Sequence, residues 1–223
     1  MIVFTMVTQP NRYTNLKLII PNILEQCDEF NIILNGYDFT PEFDDEKIQY
    51  YHVDAGTGAE AKLDYYFLYG KNDYYFTIDD DILYPKNYVE KMIEKDKISC
   101  VHGGFWNLHR VTKHRDFRKT YTFTRKLQTD RQVQFPGTGT MCIPGGLIDF
   151  NPADFQFKNM VDPYISVWAA QQKIPIICKK RPNQWLKALP EYGSSIVGNN
   201  PNNQIDELIT KNINHFKWIP RTY

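Results

Sequence analysis

The chain has 223 residues, room for one ordinary domain or one with a small subdomain. Lys plus Arg and Asp plus Glu number 26 each, so the formal net charge is zero, which argues against a dedicated nucleic-acid binder with its basic excess. Hydrophobic residues at 42% supply a sizeable core, and aromatics at 15% supply rings that fill that core or stack on planar faces such as bases and sugars. Cys27, Cys100, Cys142 and Cys178 lie far apart without a CxxC pair, so they read as reduced, mostly buried thiols and not as a zinc site. No apolar run approaches the roughly 18 residues of a membrane span. The start, Met1-Ile-Val-Phe-Thr5, lacks the basic region of a signal peptide. A cytoplasmic protein without a transmembrane segment is expected.

The apolar run Ile2 to Val7 predicts a buried strand ending in the loop Thr8-Gln-Pro10-Asn-Arg12. Thr14 to Gln26 carries a helical stripe, Leu16, Ile19, Ile20, Ile23 and Leu24, with Thr14 as its expected N-cap and Pro21 as an expected kink. Strands are predicted at Phe30 to Leu34, ending at Asn35-Gly36, and at Ile48 to Val53, ending at Asp54-Ala-Gly-Thr-Gly58. Ala59 to Tyr69 reads as a helix, Tyr74 to Ile78 as a strand ending at Asp79-Asp80-Asp81, and Pro85 to Lys95 as a helix with Pro85 in its first turn. Strands alternating with helices imply an α/β fold, a mostly parallel central sheet flanked by helices, with ligands bound beyond the carboxyl ends of its strands. Thr8, Asn35, Asp54 and the three aspartates all fall at such ends.

The second half is less regular. Ser99 to Gly104 and Ile174 to Cys178 read as strands, and Phe135 to Ile143 as a strand opened by Gly137-Thr-Gly139-Thr. Asn107 to Arg131 reads as a basic loop or hairpin, Asp162 to Gln172 and Ile205 to Asn214 as helices, and Asn199 to Asn203 as a polar loop. The organisation expected is a single domain, 1–223, of two halves, 1–100 and 101–223.

Three consecutive carboxylates after an apolar strand repel one another and need countercharge. In extended chain, Asp79 and Asp81 point the same way while Asp80 points elsewhere. Hard oxygen ligands of this kind suit Mg²⁺ or Mn²⁺, which complete their shells with water and substrate phosphates. The plainer reading is a solvated acidic turn ahead of the next helix.

With that context, Tyr74-Tyr-Phe-Thr-Ile-Asp-Asp-Asp-Ile-Leu-Tyr-Pro85 resembles the DxD region of GT-A-fold glycosyltransferases, especially the family 2-like enzymes. The resemblance runs along most of the chain and implies a nucleotide-sugar-binding half over 1–100 and an acceptor-binding half over 101–223. Val3 to Arg12 is similar to the first strand and the loop that meets the nucleotide, with Thr8, Pro10 and Arg12. Asn35 stands where many relatives carry an Asp that reads the base. Asp54 to Lys62 resembles the segment whose glycines and basic residue face the donor. Asp79 and Asp81 match the pair that meets ribose and metal-diphosphate, with Asp80 between them. Gly137 to Cys142, including Gly139, resembles the strand lining the acceptor cleft. Met160-Val-Asp162-Pro resembles the start of the helix that carries the base in inverting members. Ile174 to Arg181, with Trp185 and Leu186, resembles a common closing segment.

The resemblance implies a metal-dependent transfer of a sugar from a nucleoside-diphosphate sugar, a UDP-sugar first, to a hydroxyl of a glycan or glycoprotein. Asp81 with Asp79 would hold Mn²⁺ or Mg²⁺, and Asp162 would accept the proton. Asp162 reads equally as an N-cap ahead of Pro163. Lys62, Arg12 and Arg181 read as phosphate ligands or as solvated cations. His102 and Gly103, in His-Gly-Gly, are candidates for the acceptor, against a plain structural histidine. His215 is a more distant candidate for the metal, and Trp106 and Trp185 are candidates for stacking on sugars. Three other classes compete. A phosphatase or phosphotransferase with an aspartyl nucleophile would need an early DxDx(T/V) after the first strand, whereas Asp79 to Leu83 is mid-chain and lacks that Thr or Val. A sugar-nucleotidyltransferase would carry a Gly-rich basic loop after the first strand, where Thr-Gln-Pro-Asn-Arg stands. A non-catalytic glycan-binding module would use the aromatics and bind no nucleotide.

Overall fold

The computed structural model describes residues 1–107, 117–151, 154–190 and 204–219. In chain order the strands and α-helices are β1 (Ile2–Thr8), α1 (Tyr13–Leu24), β2 (Glu29–Asn35), β3 (Ile48–Val53), β4 (Tyr74–Ile78), β5 (Ile82–Leu83) and α2 (Tyr88–Met92). There follow β6 (Ile98–Cys100), β7 (Gly103–Trp106), β8 (Phe117–Tyr121), β9 (Arg131–Val133), β10 (Phe135–Pro136) and β11 (Thr140–Pro144). The chain continues through α3 (Val161–Gln171), β12 (Ile176–Cys178), β13 (Lys187–Ala188) and α4 (Gln204–Lys211). Eight strands form one sheet in the order β3-β2-β1-β4-β11-β6-β12-β9, with small sheets β10-β7-β8 and β13-β5 beside it.

The sheet is mixed. Strands β3, β2, β1 and β4 run parallel, as do β6 and β12, while β11 is antiparallel to both β4 and β6, and β9 to β12. The expected mostly parallel sheet is thus only partly parallel, through β3-β2-β1-β4 and the β6–β12 pair. Alternation along the strands divides the core between the two faces. Phe4, Met6, Phe76, Ile78 and Cys142 pack with Leu16, Ile19 and Ile23 of α1 and with Tyr88 and Met92 of α2. Val3, Tyr75 and Met141 pack on the other face with Leu63, Tyr66 and Ile165 and Trp168 of α3. Each such fully buried side chain contributes about 1.5–3 kcal/mol. Both clusters draw on residues before and after position 100, so the two halves share one sheet and both core layers.

Several local expectations are corrected. Helix α1 runs without a break through Pro21 and starts after Arg12, with no side-chain cap from Thr14. Residues 59–69 form two 3-10 turns, Ala59–Leu63 and Tyr66–Leu68, not a helix. The segment is pinned at separated points: Ala59 N–H to Asn159 at 2.9 Å, and Tyr66 Oη to the carbonyl of Pro144 at 2.9 Å. Those anchors, with Lys62 turned inward, override the helix propensity of Ala-Glu-Ala-Lys-Leu. Ser99 to Gly104 divides between two sheets, and the polar run at 199–203 lies outside the described residues. Among the described residues no helix is long and apolar enough to cross a membrane.

Candidate active site

Strand order reverses direction at β1: the chain goes to β2 and β3 on one side and returns to β4 on the other. Such a switch point opens a crevice beyond the carboxyl ends of the strands. Thr8 ends β1 and Asp79 follows β4, its parallel neighbour, and β11 enters the sheet at the same edge, with Thr140 opposite Ile78.

The aspartate row is fixed through its backbone. Asp79 N–H donates to Tyr84 Oη at 2.9 Å, and that hydroxyl donates to the Gly139 carbonyl. The Asp80 carbonyl accepts from Asn15 Nδ2 at 3.0 Å, and the Asp81 carbonyl from Leu189 N–H at 2.7 Å. With the carbonyls held from behind, the side chains lie at the crevice. Lys62, 3% exposed, forms an ion pair with Asp79 Oδ1. Arg12 Nη1 stands 3.6 Å from Asp81 Oδ2, inside ion-pair range but beyond a hydrogen bond, and that buried nitrogen has no hydrogen-bond partner among the described residues. Burial and the charge of Asp79 raise the Asp80 pKa, opposed by a hydrogen bond from Thr8. Asp81 is pushed up to about 6 by burial and by its two neighbours, against the pull of Arg12 and Lys62. Two cations against three carboxylates leave this row one negative charge in surplus.

That donor set fits one hard divalent cation. The carboxylates are short of positive charge, and the orphaned Arg12 nitrogen is placed for a further anion. Among the described residues no three His, Cys, Asp or Glu side chains enclose a metal position. A Mg²⁺- or Mn²⁺-type ion that takes one or two carboxylates and fills its shell from phosphates and water requires no such enclosure.

The loop 137–139 joins the row to α3. Gly139 touches the Asp79 carboxylate, and Thr138 donates both its N–H, at 2.8 Å, and its hydroxyl to Asp162 Oδ1. Asp162 is in the first turn of α3 but is not its N-cap, which is Met160. Its carboxylate therefore fixes the glycine-rich loop and does not cap its own helix. The His102 side chain packs against Gly137 of the same loop.

The crevice thus gathers Thr8, Arg12, Lys62, Asp79, Asp80, Asp81, His102, Gly139 and Asp162. Pro10 is exposed at the first position of the 3-10 turn Pro10–Arg12 beside them. Other candidates have structural contacts. Asn35, 4% exposed, donates to the Thr57 carbonyl at 2.7 Å and accepts Gly56 N–H at 3.1 Å, so its amide shapes the 54–58 loop. Asp54 is exposed, and its carbonyl closes a turn with Thr57. Gly103 is buried against the Phe135 carbonyl and Cys100 Sγ. Arg181, 4% exposed, donates to the carbonyls of Thr122, Arg125 and Lys179 and to Cys178 Sγ, a clamp on the 122–125 turn. Trp185 bonds Asn87 and packs on Tyr88, against α2. Trp106 is buried and bonded to Ser166. His215 is exposed on the 3-10 turn after α4.

Three contributors are absent from the sequence reading. Asn15 and Tyr84 lock the row. A ring cluster, Tyr13, Tyr37, Phe39 and Phe43, flanks the 8–12 loop: Tyr37 Oη donates to the Gln9 carbonyl at 2.7 Å, and Phe39 is 43% exposed with its ring edge-on to Tyr37 and Tyr13. Asn15 had a signal, a polar residue beside the apolar stripe of α1, but Tyr84 reads as an ordinary core aromatic. No protein-family model matches the chain, and no curated protein matches it significantly.

Proposed function

We propose that the chain is a GT-A-like, metal-dependent glycosyltransferase that moves a sugar from a nucleoside-diphosphate sugar, a UDP-sugar first, to a hydroxyl of a glycan or glycoprotein. The observation that carries this reading is the aspartate row: backbone-locked at the switch-point crevice, short of positive charge, and joined through one glycine-rich loop to Asp162. The open ring of Phe39 beside the 8–12 loop supports stacking on a base.

In this reading Asp81, with Asp79, holds Mn²⁺ or Mg²⁺, which when bound supplies Lewis-acid neutralisation of the diphosphate. Lys62 keeps Asp79 oriented and adds fixed positive charge, and Arg12 offers its unpartnered nitrogen to a phosphate oxygen. Asp162, with one oxygen fixed by Thr138, accepts the proton of the attacking hydroxyl, giving inversion at the anomeric carbon.

A thermal-shift panel tests this: UDP, GDP, dTDP and CMP, each with Mn²⁺, Mg²⁺ or EDTA. The expected result is stabilisation that needs one nucleoside diphosphate and the metal together, about 2.7 kcal/mol at a ligand concentration ~100 times its dissociation constant. Asp81→Ala is expected to remove the metal-dependent part. Folded protein that no nucleotide stabilises would overturn the transferase reading in favour of a glycan-binding module.

A further inference from the structure

His102 occupies the short link between β6 and β7, beyond the carboxyl end of β6 and so at the same end of the sheet as Asp79. Its N–H donates to Thr140 Oγ1 at 2.8 Å, and its carbonyl accepts Gly137 N–H at 2.8 Å, so the backbone is held from both sides. A Cβ on Gly137 would stand 2.8–3.1 Å from three carbons of the histidine side chain, so a glycine there lets the ring lie where it does. Phe123 flanks the ring at 6.2 Å. The hydrogen bonds that hold His102 among the described residues are those of its backbone. The charged groups facing the ring are Asp162 from α3, Arg181 from the segment after β12, and Asp79 from the end of β4. Burial lowers the histidine pKa below its ordinary 6.5, with Arg181 acting the same way and the two carboxylates opposing. The ring is therefore neutral at physiological pH. The ring is only partly buried and its nitrogens are open to solvent, so an incoming hydroxyl can reach them.

We propose that His102 is the second residue to meet the acceptor, its ring N–H bonding the oxygen of the attacking hydroxyl while that hydroxyl donates to Asp162. This rests on the transferase reading above. As the hydroxyl oxygen bonds to the anomeric carbon, the bond from that carbon to the diphosphate oxygen breaks. Its electron pair leaves on the nucleoside diphosphate, and the hydroxyl proton passes to Asp162. His102 keeps its own proton throughout and acts by positioning. A second proton on the ring would pair it with Asp162 and weaken that carboxylate as a proton acceptor, so turnover falls on the acid side.

The test uses the full chain and UDP-, GDP- and dTDP-hexoses, with water as the acceptor. Nucleoside diphosphate release is followed from about pH 5 to about pH 8. His102→Gln keeps an N–H donor but does not titrate. It is expected to retain most of the rate at the alkaline end and to lose the acid-side fall contributed by His102. His102→Ala is expected to lose about 100-fold in kcat with nucleotide stabilisation intact. If both variants keep the wild-type rate and pH profile, or if His102→Ala loses nucleotide stabilisation together with rate, the assignment is overturned while the transferase reading stands. A wild type that binds no nucleotide, or that binds one and releases none from any donor, overturns the transferase mechanism and this assignment together.

Discussion

Asp79 Oδ2 lies 1.8 Å from the point where a Cβ on residue 139 would stand, so a glycine at 139 and the carboxylate at 79 share one small volume. The Asp79 side chain is short and is paired with buried Lys62, so it cannot yield without breaking that ion pair. Gly139→Ala is therefore expected to leave a folded protein, destabilised by about 1–3 kcal/mol through overpacking, that no longer gains the joint nucleotide-and-metal stabilisation. Calorimetry with and without both ligands checks this; an unchanged ligand-induced shift would show that Asp79 takes no part in binding. The residues at this scale show what a sequence discloses. Clustered carboxylates after an apolar strand are legible because uncompensated charge has few structural uses. Asn35 is not, because its amide is taken up by the backbone of residues 56 and 57, which only the folded loop brings to it. Arg181 is misread for the same reason: its guanidinium meets carbonyls from the distant 122–125 turn.

At the scale of elements, β12 is held to its surroundings by charge as well as by pairing. Lys179, next after the strand, reaches Glu94 at 2.6 Å and Asp130 at 2.9 Å, and Asp130 also accepts Lys180 N–H at 2.6 Å. Partial burial works against the Asp130 charge, but the Lys180 N–H and the Lys179 ammonium outweigh it and hold its pKa below the ordinary 3.8. A carboxyl whose folded pKa is depressed contributes stability above the unfolded value and loses it as pH falls through the folded value. Wild type and Asp130→Asn should therefore differ in Tm at neutral pH, with the variant lower, and converge as the pH falls below about 3.8. Exposure of the Asp130 carboxylate keeps the difference small. A Tm gap that persists unchanged at the acid end would mean that the variant acts through something other than this carboxylate. Elements also mark where periodicity misleads. Residues 59–69 carry helix formers, yet two 3-10 turns are needed to send Lys62 to Asp79 and Tyr66 to the 144–148 turn at once. Strong local propensity gives way when one short segment must satisfy two separated buried partners.

For the molecule as a whole, the seam between β4 and β11 is decisive. The parallel half was legible from its alternating strands and helices. The antiparallel return was not, because β11 is short, follows a glycine-rich loop, and reaches β4 across more than sixty residues of sequence. That seam makes the two halves one cooperative unit: Met141 and Cys142 supply core on opposite faces of the strands that residues 1–100 contribute. All four tryptophans, 106, 168, 185 and 218, lie in the second half. Tryptophan fluorescence therefore reports that half, while far-UV circular dichroism reports the whole chain. Urea unfolding of the full chain is expected to give one transition with coincident midpoints by both probes. A fragment of residues 1–100 leaves β4 an uncovered edge and strips both faces of partners, so it is expected to show no cooperative transition. Separate midpoints, or a fragment that melts cooperatively by itself, would make the first half an independent domain. The Asp79–Gly139 contact would then be an interface between two bodies, and ligand binding at the aspartate row would persist in the fragment.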